Sequence, residues 1–435
     1  MIQRAQYLPR WLEEGLESPV AVLGGGVSGL GAKALVESLN GQAAMYDENS
    51  SQPFATEFTI EDARRACLVV VSPGFAPDHP WIEAARHADC CVCSELDLGA
   101  SLWKGPIIAV TGTNGKTTLT SFLDHAFRHS GIESFAVGNI GRSMCEMLSR
   151  DCNSEAIAVC EVSSFQAELS THLQADYVLW TNFAEDHLDR HGSMDAYFRS
   201  KYNLISNMRG NSVVLDRTVS NYGKRLGLPM SEAQVLDAAN VEDLQRVKGS
   251  VFETEPEIES YLMARSLWLS LGMSESSLEE AARFFRKDPH RMELIGSKLG
   301  IRFWDDSKAT NFHATLSGLT RFEQPVIWIG GGKDKGGSIR SFAKQLVPHL
   351  KQAILIGETR FSVKRELESI GFLAHEVGSM EEAVNLVLEL GGSGDEALLS
   401  PGFASFDMFE SYAQRGEAFR AAIGLIDSER NVQYG

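Results

Sequence analysis

Residues 109–118 read Ala-Val-Thr-Gly-Thr-Asn-Gly-Lys-Thr-Thr, with an apolar run before them, Pro106 to Val110, and Leu119, Phe122, Leu123, Ala126 and Phe127 after them at helical spacing. A strand, a glycine-rich turn and an amphipathic helix in that order make a phosphate-binding loop. The N–H groups of the turn and of the helix N-terminus favour an anion. Lys116 adds a point charge, and Thr117 brings a hydroxyl within reach of a magnesium ion. The longer form of this loop has a glycine five positions before Gly115, where Val110 stands, so the loop is the shorter variant G-T-N-G-K-T. Nucleotide phosphate chemistry is the function class that follows.

The rhythm of short apolar strand, glycine-bearing turn and helix continues on both sides of this segment, which predicts an α/β fold with parallel, doubly wound sheets. The 435 residues suffice for about three domains. Their motifs divide at 1–97, a Rossmann-like N-terminal domain, 98–294, a central P-loop ATPase-type domain, and 295–435, a Rossmann-like C-terminal domain.

In the first block, strand Val20 to Leu23 runs into Gly24-Gly25-Gly26-Val27-Ser28-Gly29 and a helix carrying Leu30, Leu35 and Leu39. This fits G-x-G-x-x-G, with Asp47 at the end of the next strand, where a ribose-binding acid would sit. Alone, the fingerprint equally supports an NAD-dependent oxidoreductase, which would leave the phosphate loop without a role. Strand Leu68 to Val71 ends in Ser72-Pro73-Gly74, either a ligand-binding turn at the carboxyl edge of the sheet or a plain tight turn.

In the middle block, strand Ala156 to Cys160 delivers Glu161, a carboxylate suited to magnesium beside a phosphate loop. Strand Tyr177 to Thr181 leads into Asn182-Phe183-Ala184-Glu185-Asp186-His187-Leu188-Asp189-Arg190-His191, a loop dense enough in Asp and His to be functional. The last block predicts strands Ile301 to Trp304, Val326 to Ile329, Ala353 to Ile356 and Ala397 to Leu399. Their turns carry Asp306-Ser307-Lys308-Ala309-Thr310-Asn311, Gly330-Gly331-Gly332-Lys333-Asp334-Lys335 and Ser400-Pro401-Gly402-Phe403-Ala404-Ser405.

A net charge of −18 disfavours nucleic acid and anionic membranes as partners, so sites for anionic substrates must build their own positive field. The first thirty residues resemble neither a secretory signal nor a transit peptide, and no apolar run approaches the roughly 18 residues of a membrane helix. A cytoplasmic protein is expected. The seven cysteines, Cys90, Cys91 and Cys93 among them, lack zinc-ligand spacing and read as reduced thiols on a buried strand.

Together, G-T-N-G-K-T-T (112–118), G-N-I-G (138–141), E-V-S-S-F-Q (161–166), N-F-A-E-D-H-L-D-R-H (182–191), H-R-M-E (290–293), D-S-K-A-T-N (306–311) and S-P-G-F-A-S (400–405) resemble the Mur ligases, in order and across all three blocks. Ser163-Ser164-Phe165-Gln166 and Gly138-Asn139-Ile140-Gly141 look most like the members that add D-glutamate. The resemblance implies ATP-dependent amide-bond formation in peptidoglycan synthesis. The alanyl carboxylate of UDP-N-acetylmuramoyl-L-alanine would take the γ-phosphoryl group of ATP, and the amine of D-glutamate would attack the acyl phosphate. ATP and magnesium are the implied cofactors, the two small molecules the implied partners, and a monomer the implied state.

Carried over by residue, Gly112, Thr113, Asn114, Gly115, Lys116, Thr117 and Thr118 would cradle the ATP phosphates. Thr117 and Glu161 would hold one magnesium. His187 resembles the ligand of a second. Lys201, in Phe198-Arg199-Ser200-Lys201-Tyr202, stands where the family has a lysine carbamylated by CO2; its plain reading is a helix-surface lysine. Lys116, Glu161, His187 and Lys201 are thus the catalytic set. Arg291, Asp306 and Lys308 resemble further nucleotide contacts. Val27, Ser28, Asp47, Ser72 and Asn139 resemble UDP-sugar contacts, and Thr310, Lys335, Ser405 and Tyr412 contacts to D-glutamate.

One departure stands out. Where the family has His-Asn-x-x-Asn to recognise adenine, this chain has Pro256-Glu257-Ile258-Glu259-Ser260, and the segment between about 210 and 255 is short. Loss of a base-reading pair should mainly raise the nucleotide KM. It leaves open another Mur ligase specificity, or a UDP-sugar-binding paralogue that no longer turns over ATP, although the retained lysines oppose the latter. The last domain is expected to swing about a hinge near Ser297.

Overall fold

Runs of four or five apolar residues closed by glycine turns satisfy their backbones and bury both faces only as strands of covered parallel sheets. Three such sheets form in the computed structural model, which describes residues 8–49, 52–150, 152–210, 212–230 and 233–424. The first has β1 (Val20–Leu23), β2 (Ala43–Tyr46), β3 (Leu68–Val71) and β4 (Cys91–Ser94), ordered β2-β1-β3-β4. The second has β5 (Ile107–Thr111), β6 (Ser134–Gly138), β7 (Ile157–Glu161), β8 (Tyr177–Trp180), β9 (Ser212–Leu215) and β10 (Gln234–Val235), ordered β10-β9-β8-β5-β7-β6. Every pairing in these two sheets is parallel.

The third sheet has β11 (Glu293–Lys298), β12 (Ile301–Asp305), β13 (Val326–Gly330), β14 (Leu350–Leu355), β15 (Ala374–Glu376) and β16 (Glu396–Leu399), ordered β11-β12-β16-β13-β14-β15. It departs from expectation at its edge. β11 pairs antiparallel with β12, and Ser297 sits opposite Arg302 within that hairpin. A residue zipped into a ladder cannot serve as a hinge, so the swing expected at Ser297 is not available there. A division at 294/295 likewise cuts through β11.

The described chain falls into two compact units. The first comprises residues to Phe183, Gly192–Glu253 and Glu257–Phe285; the second comprises Ala184–His191, Thr254–Pro256 and the chain from Arg286 on. Alternation along the strands explains why the first unit holds two sheets. Val20, Val22, Leu68 and Val70 share one core with Ile107, Ala109, Ala158, Cys160, Val178 and Trp180. The opposite faces, Ala21 with Val69 and Ile108 with Val159 and Leu179, lie in separate cores.

Asp97 ties the first two sheets together. Fully buried, its carboxylate accepts the N–H groups of Ser94, Thr171, His172 and Leu173 at 2.7–3.0 Å. None of the seven cysteines, all among the described residues, is in a disulfide; Cys93 is buried on β4, whereas Cys90 and Cys91 are only half-buried. No helix among the described residues is long and apolar enough to cross a membrane.

Candidate active site

In an open parallel sheet, ligands gather at the carboxyl ends of strands where chain order reverses. β5 lies between β7 and β8 in the second sheet and carries the phosphate loop at such a point. Gly112 has φ +147, and a Cβ there would lie 1.9 Å from Thr181 Oγ1. Gly115, at φ +80, caps the helix Lys116–His129. The loop is laced to the end of β8: Asn114 N–H donates to Asn182 Oδ1 at 2.9 Å, Thr113 N–H to Asn182 O at 3.1 Å, and Thr181 Oγ1 to Asn114 O at 2.5 Å.

Two ammonium groups converge on this loop. Lys116 Nζ folds back to Gly112 O at 3.0 Å and Thr113 O at 2.9 Å. Lys201, on the helix Met194–Ser206, is 1% exposed and reaches Gly112 O at 2.9 Å and Thr111 Oγ1 at 3.2 Å. The surface-lysine reading of Lys201 therefore fails, because that face of its helix packs on the sheet. Tyr197, one turn earlier, pairs its hydroxyl with Thr113 Oγ1 at 3.2 Å.

Glu161 ends β7 and is 2% exposed. Its Oε1 accepts from Asn139 Nδ2 at 2.9 Å, while Oε2 is buried without a hydrogen-bond partner among the described residues. An orphaned carboxylate oxygen is costly unless a cation takes it, and hard oxygen donors suit magnesium, so the site fits that ion. Asn139, expected at the UDP-sugar, gives one N–H of its amide to Glu161. The E-V-S-S-F-Q motif has a local explanation: Ser163 and Gln166 form a capping box that starts the helix Ser164–Leu169 three residues after Glu161.

At the first sheet, Gly25 N–H donates to Asp47 Oδ2 at 2.6 Å, so the acid does sit against the glycine turn. A Cβ on Gly29 would lie 1.8 Å from Gly24 O, the close helix–strand approach that the third glycine of the fingerprint permits. Ser72 Oγ faces the same turn, buried and without a hydrogen-bond partner among the described residues. Val27 is exposed and Ser28 half-buried at the start of the helix Val27–Ser38. Leu30, on that helix, is exposed rather than in the core.

Ser260 of the altered 256–260 segment lies 3.6 Å from where a Gly115 Cβ would be, so this segment does border the phosphate loop.

In the second unit, the H-R-M-E turn docks on the end of β12. His290 Nδ1 bonds Asp305 Oδ2 at 2.6 Å, Lys308 N–H donates to His290 O at 3.1 Å, and Met292 N–H to Asp306 Oδ1 at 3.2 Å. Half-buried Arg291 lies between these anchors. Asp306 is turned inward: it is 7% exposed, accepts from Ser400 Oγ at 2.7 Å, and burial pushes its carboxyl up to about 7. Its first task is to lock three loops together. Lys308 Nζ stands 3.7 Å from the Tyr412 ring centroid, a cation–π contact. Thr310 is half-buried and Ser405 buried.

Lys335 is not an open cation: its Nζ donates to Asp186 Oδ1 at 2.7 Å. His187 adopts a left-handed φ of +53, an uncommon state for a non-glycine residue, and its Nε2 lies 3.5 Å from Asp186 Oδ2. Sequence reasoning passed over Asp186, Asn182, Tyr197 and Arg415. Buried Arg415 bonds Ser307 Oγ, Ser307 O and Phe403 O at 2.8–3.1 Å, joining two loops of the third sheet. The only signal for Asp186 and Asn182 was their place in an acidic, His-rich loop; Tyr197 and Arg415 carried none.

The Mur ligase middle domain matches residues 110–238, and the Mur ligase glutamate ligase domain matches residues 290–403. The chain belongs to the Mur ligase family. It is 31% identical to the UDP-N-acetylmuramoylalanine–D-glutamate ligase of Caldanaerobacter subterraneus subsp. tengcongensis, over 94% of this chain and 98% of that protein. It is 33% identical to the ligase of the same name from a Geobacter species, over 82% and 83% of the two chains. Among solved structures it resembles UDP-N-acetylmuramate-alanine ligase MurC from Thermotoga maritima (TM-score 0.58, 17% identity, 93% and 98% covered). It also resembles MurF ligase from T. maritima in complex with ADP (TM-score 0.56, 16% identity, 93% of each covered). These two likenesses concern the fold.

Proposed function

We infer that this chain is an ATP-dependent ligase that adds D-glutamate to UDP-N-acetylmuramoyl-L-alanine in peptidoglycan synthesis. The observation that carries the phosphoryl-transfer part is the convergence of Lys116 and Lys201 on Gly112 O beside buried Glu161. Relatives of the same length that bear the ligase's name support the substrates. Family membership leaves the NAD-dependent oxidoreductase without support, and the retained lysines and Glu161 speak against an inert paralogue.

The alanyl carboxylate oxygen attacks the γ-phosphorus, ADP leaves, and an acyl phosphate forms. The D-glutamate nitrogen then attacks the acyl carbon; phosphate leaves and the nitrogen sheds a proton to give the amide. Both partners of the first step are anions, so alignment and charge neutralisation supply most of the catalysis.

In the first unit, residues 112–118 bind the triphosphate, with Lys116 on its β- and γ-phosphates. Thr117 and Glu161 would hold magnesium, which would supply positive charge against the phosphates. Carbamylation would turn Lys201 into a metal-facing anion. The glycine turn, Asp47 and Ser72 take the UDP-sugar. In the second unit, Arg291 and Lys308 serve the nucleotide; Asp306 keeps lone pairs for a ribose hydroxyl. His187 offers an imidazole to a metal, and Thr310, Lys335, Ser405 and Tyr412 receive D-glutamate.

The test is phosphate release with ATP, magnesium and UDP-N-acetylmuramoyl-L-alanine, comparing D-glutamate with L-glutamate, L-lysine and meso-diaminopimelate. Release that depends on D-glutamate alone is expected. Dependence on another amino acid would reassign the specificity, and no release with any of them, while the UDP-sugar still binds, would mean a binding protein.

A further inference from the structure

The Asp186 side chain is 6% exposed and accepts on both carboxylate oxygens. Oδ1 takes the Lys335 ammonium at 2.7 Å and the N–H of His187 at 2.9 Å. Oδ2 takes the Asn311 amide at 3.0 Å. Asn311 is also the N-cap of the helix Phe312–Leu319, accepting from Ala314 N–H at 2.8 Å, and is the neighbour of Thr310. The backbone reinforces this arrangement, since Asp189 N–H donates to Lys335 O at 3.3 Å. One carboxylate thus braces a lysine, the residue following a threonine, and a histidine from three separate loops.

A lysine side chain carries substantial rotamer entropy, and a free one would lose it on each binding event. Held by Asp186, Lys335 has already lost it. An ammonium has three donors, and the Asp186 bond uses one, so a substrate carboxylate can meet the others without breaking the pair. We propose that Asp186 is the positioning residue of the amino-acid subsite, fixing the Lys335 ammonium directly and the Thr310 segment through Asn311. The proposal rests on the assignment of Lys335 to D-glutamate.

The test compares full-length Asp186→Asn, Asn311→Ser and Lys335→Met in steady-state kinetics with each substrate varied in turn, alongside thermal melts. Asp186→Asn keeps the shape and removes the charge; the D-glutamate KM should rise roughly ten- to a hundredfold, the scale of a charged hydrogen bond. The KM values for ATP and UDP-N-acetylmuramoyl-L-alanine should hold. Asn311→Ser retains a good helix cap, so it remains informative if Asp186→Asn loses the fold, and should shift the same constant by less. An unchanged D-glutamate KM in Asp186→Asn, with a raised one in Lys335→Met, would overturn the positioning role. So would a change confined to magnesium dependence, which would mean that Asp186 acts through His187, or a joint worsening of all three constants, which would mean a structural part. If Lys335→Met leaves the D-glutamate KM unchanged, the assignment of Lys335 fails and the positioning role falls with it.

Discussion

Lys116 and Lys201 donate to the same backbone oxygen, that of Gly112, at 3.0 and 2.9 Å. They come from helices far apart in sequence, and like charges this close repel unless an anion joins them. A triphosphate would serve Lys116, and a carbamate would reverse the charge at Lys201. Lys116→Ala should lower kcat roughly a hundredfold or more while calorimetric binding of the UDP-sugar persists. Protein equilibrated with 13C-bicarbonate should give a carbamate carbon resonance that Lys201→Ala lacks.

The phosphate loop has no room for a side chain at its first residue, Gly112. Gly112→Ala would put a Cβ 1.9 Å from Thr181 Oγ1 at φ +147. The expected result is a loss of about 2–4 kcal/mol in urea unfolding, together with loss of nucleotide binding. A variant that melts with wild type and still binds ATP would mean that the loop can rearrange.

Asp97 concentrates an unusual share of the first unit's order. Asp97→Ala leaves four backbone N–H groups, those of Ser94, Thr171, His172 and Leu173, without their acceptor. A destabilisation of about 3–5 kcal/mol is expected, with UDP-sugar binding lost before ATP binding during a denaturant titration.

The raised Asp306 carboxyl makes stability depend on pH with a definite sign. Unfolded, the group titrates near 4; folded, burial puts it at about 7. The native state therefore holds more protons in that window, and unfolding free energy falls as pH rises through it, by of order 4 kcal/mol at most. The contribution is fully present below about 4 and lost above about 7. Asp306→Asn should flatten this slope in unfolding midpoints measured across the window, and an unaltered slope would assign the dependence elsewhere.

The strands were legible because the parallel sheets bury both faces, and apolar runs such as Val20–Leu23 and Leu68–Val71 begin and end where their apolar residues do. β11 escaped because its burial is mixed and its residues, Glu293 and Lys298 included, resemble a linker. β15, only three residues long with His375 and Glu376, escaped for the same reason. At the site, the residues proposed to bind phosphate sit in a glycine-rich turn with a local signature. Asp186 and Arg415 act through partners more than a hundred residues away, Lys335 and Ser307, and no local pattern records such pairings. Lys201 needed the third dimension: nothing in its own turn of helix distinguishes a lysine aimed at a sheet from one aimed at water.

The core shared by the first two sheets fixes a length. Because Val22 and Val70 pack in the same cluster as Ala109 and Cys160, the glycine turn at β1 and the phosphate loop at β5 are fastened to one block of side chains. On the proposed assignment of the glycine turn to the UDP-sugar and of residues 112–118 to ATP, a compound that tethers a uridine nucleotide to a phosphate mimic would find its two footholds at a constant spacing. Its avidity should therefore peak sharply at one tether length and fall away on either side, as effective concentration does for sites that cannot adjust to each other.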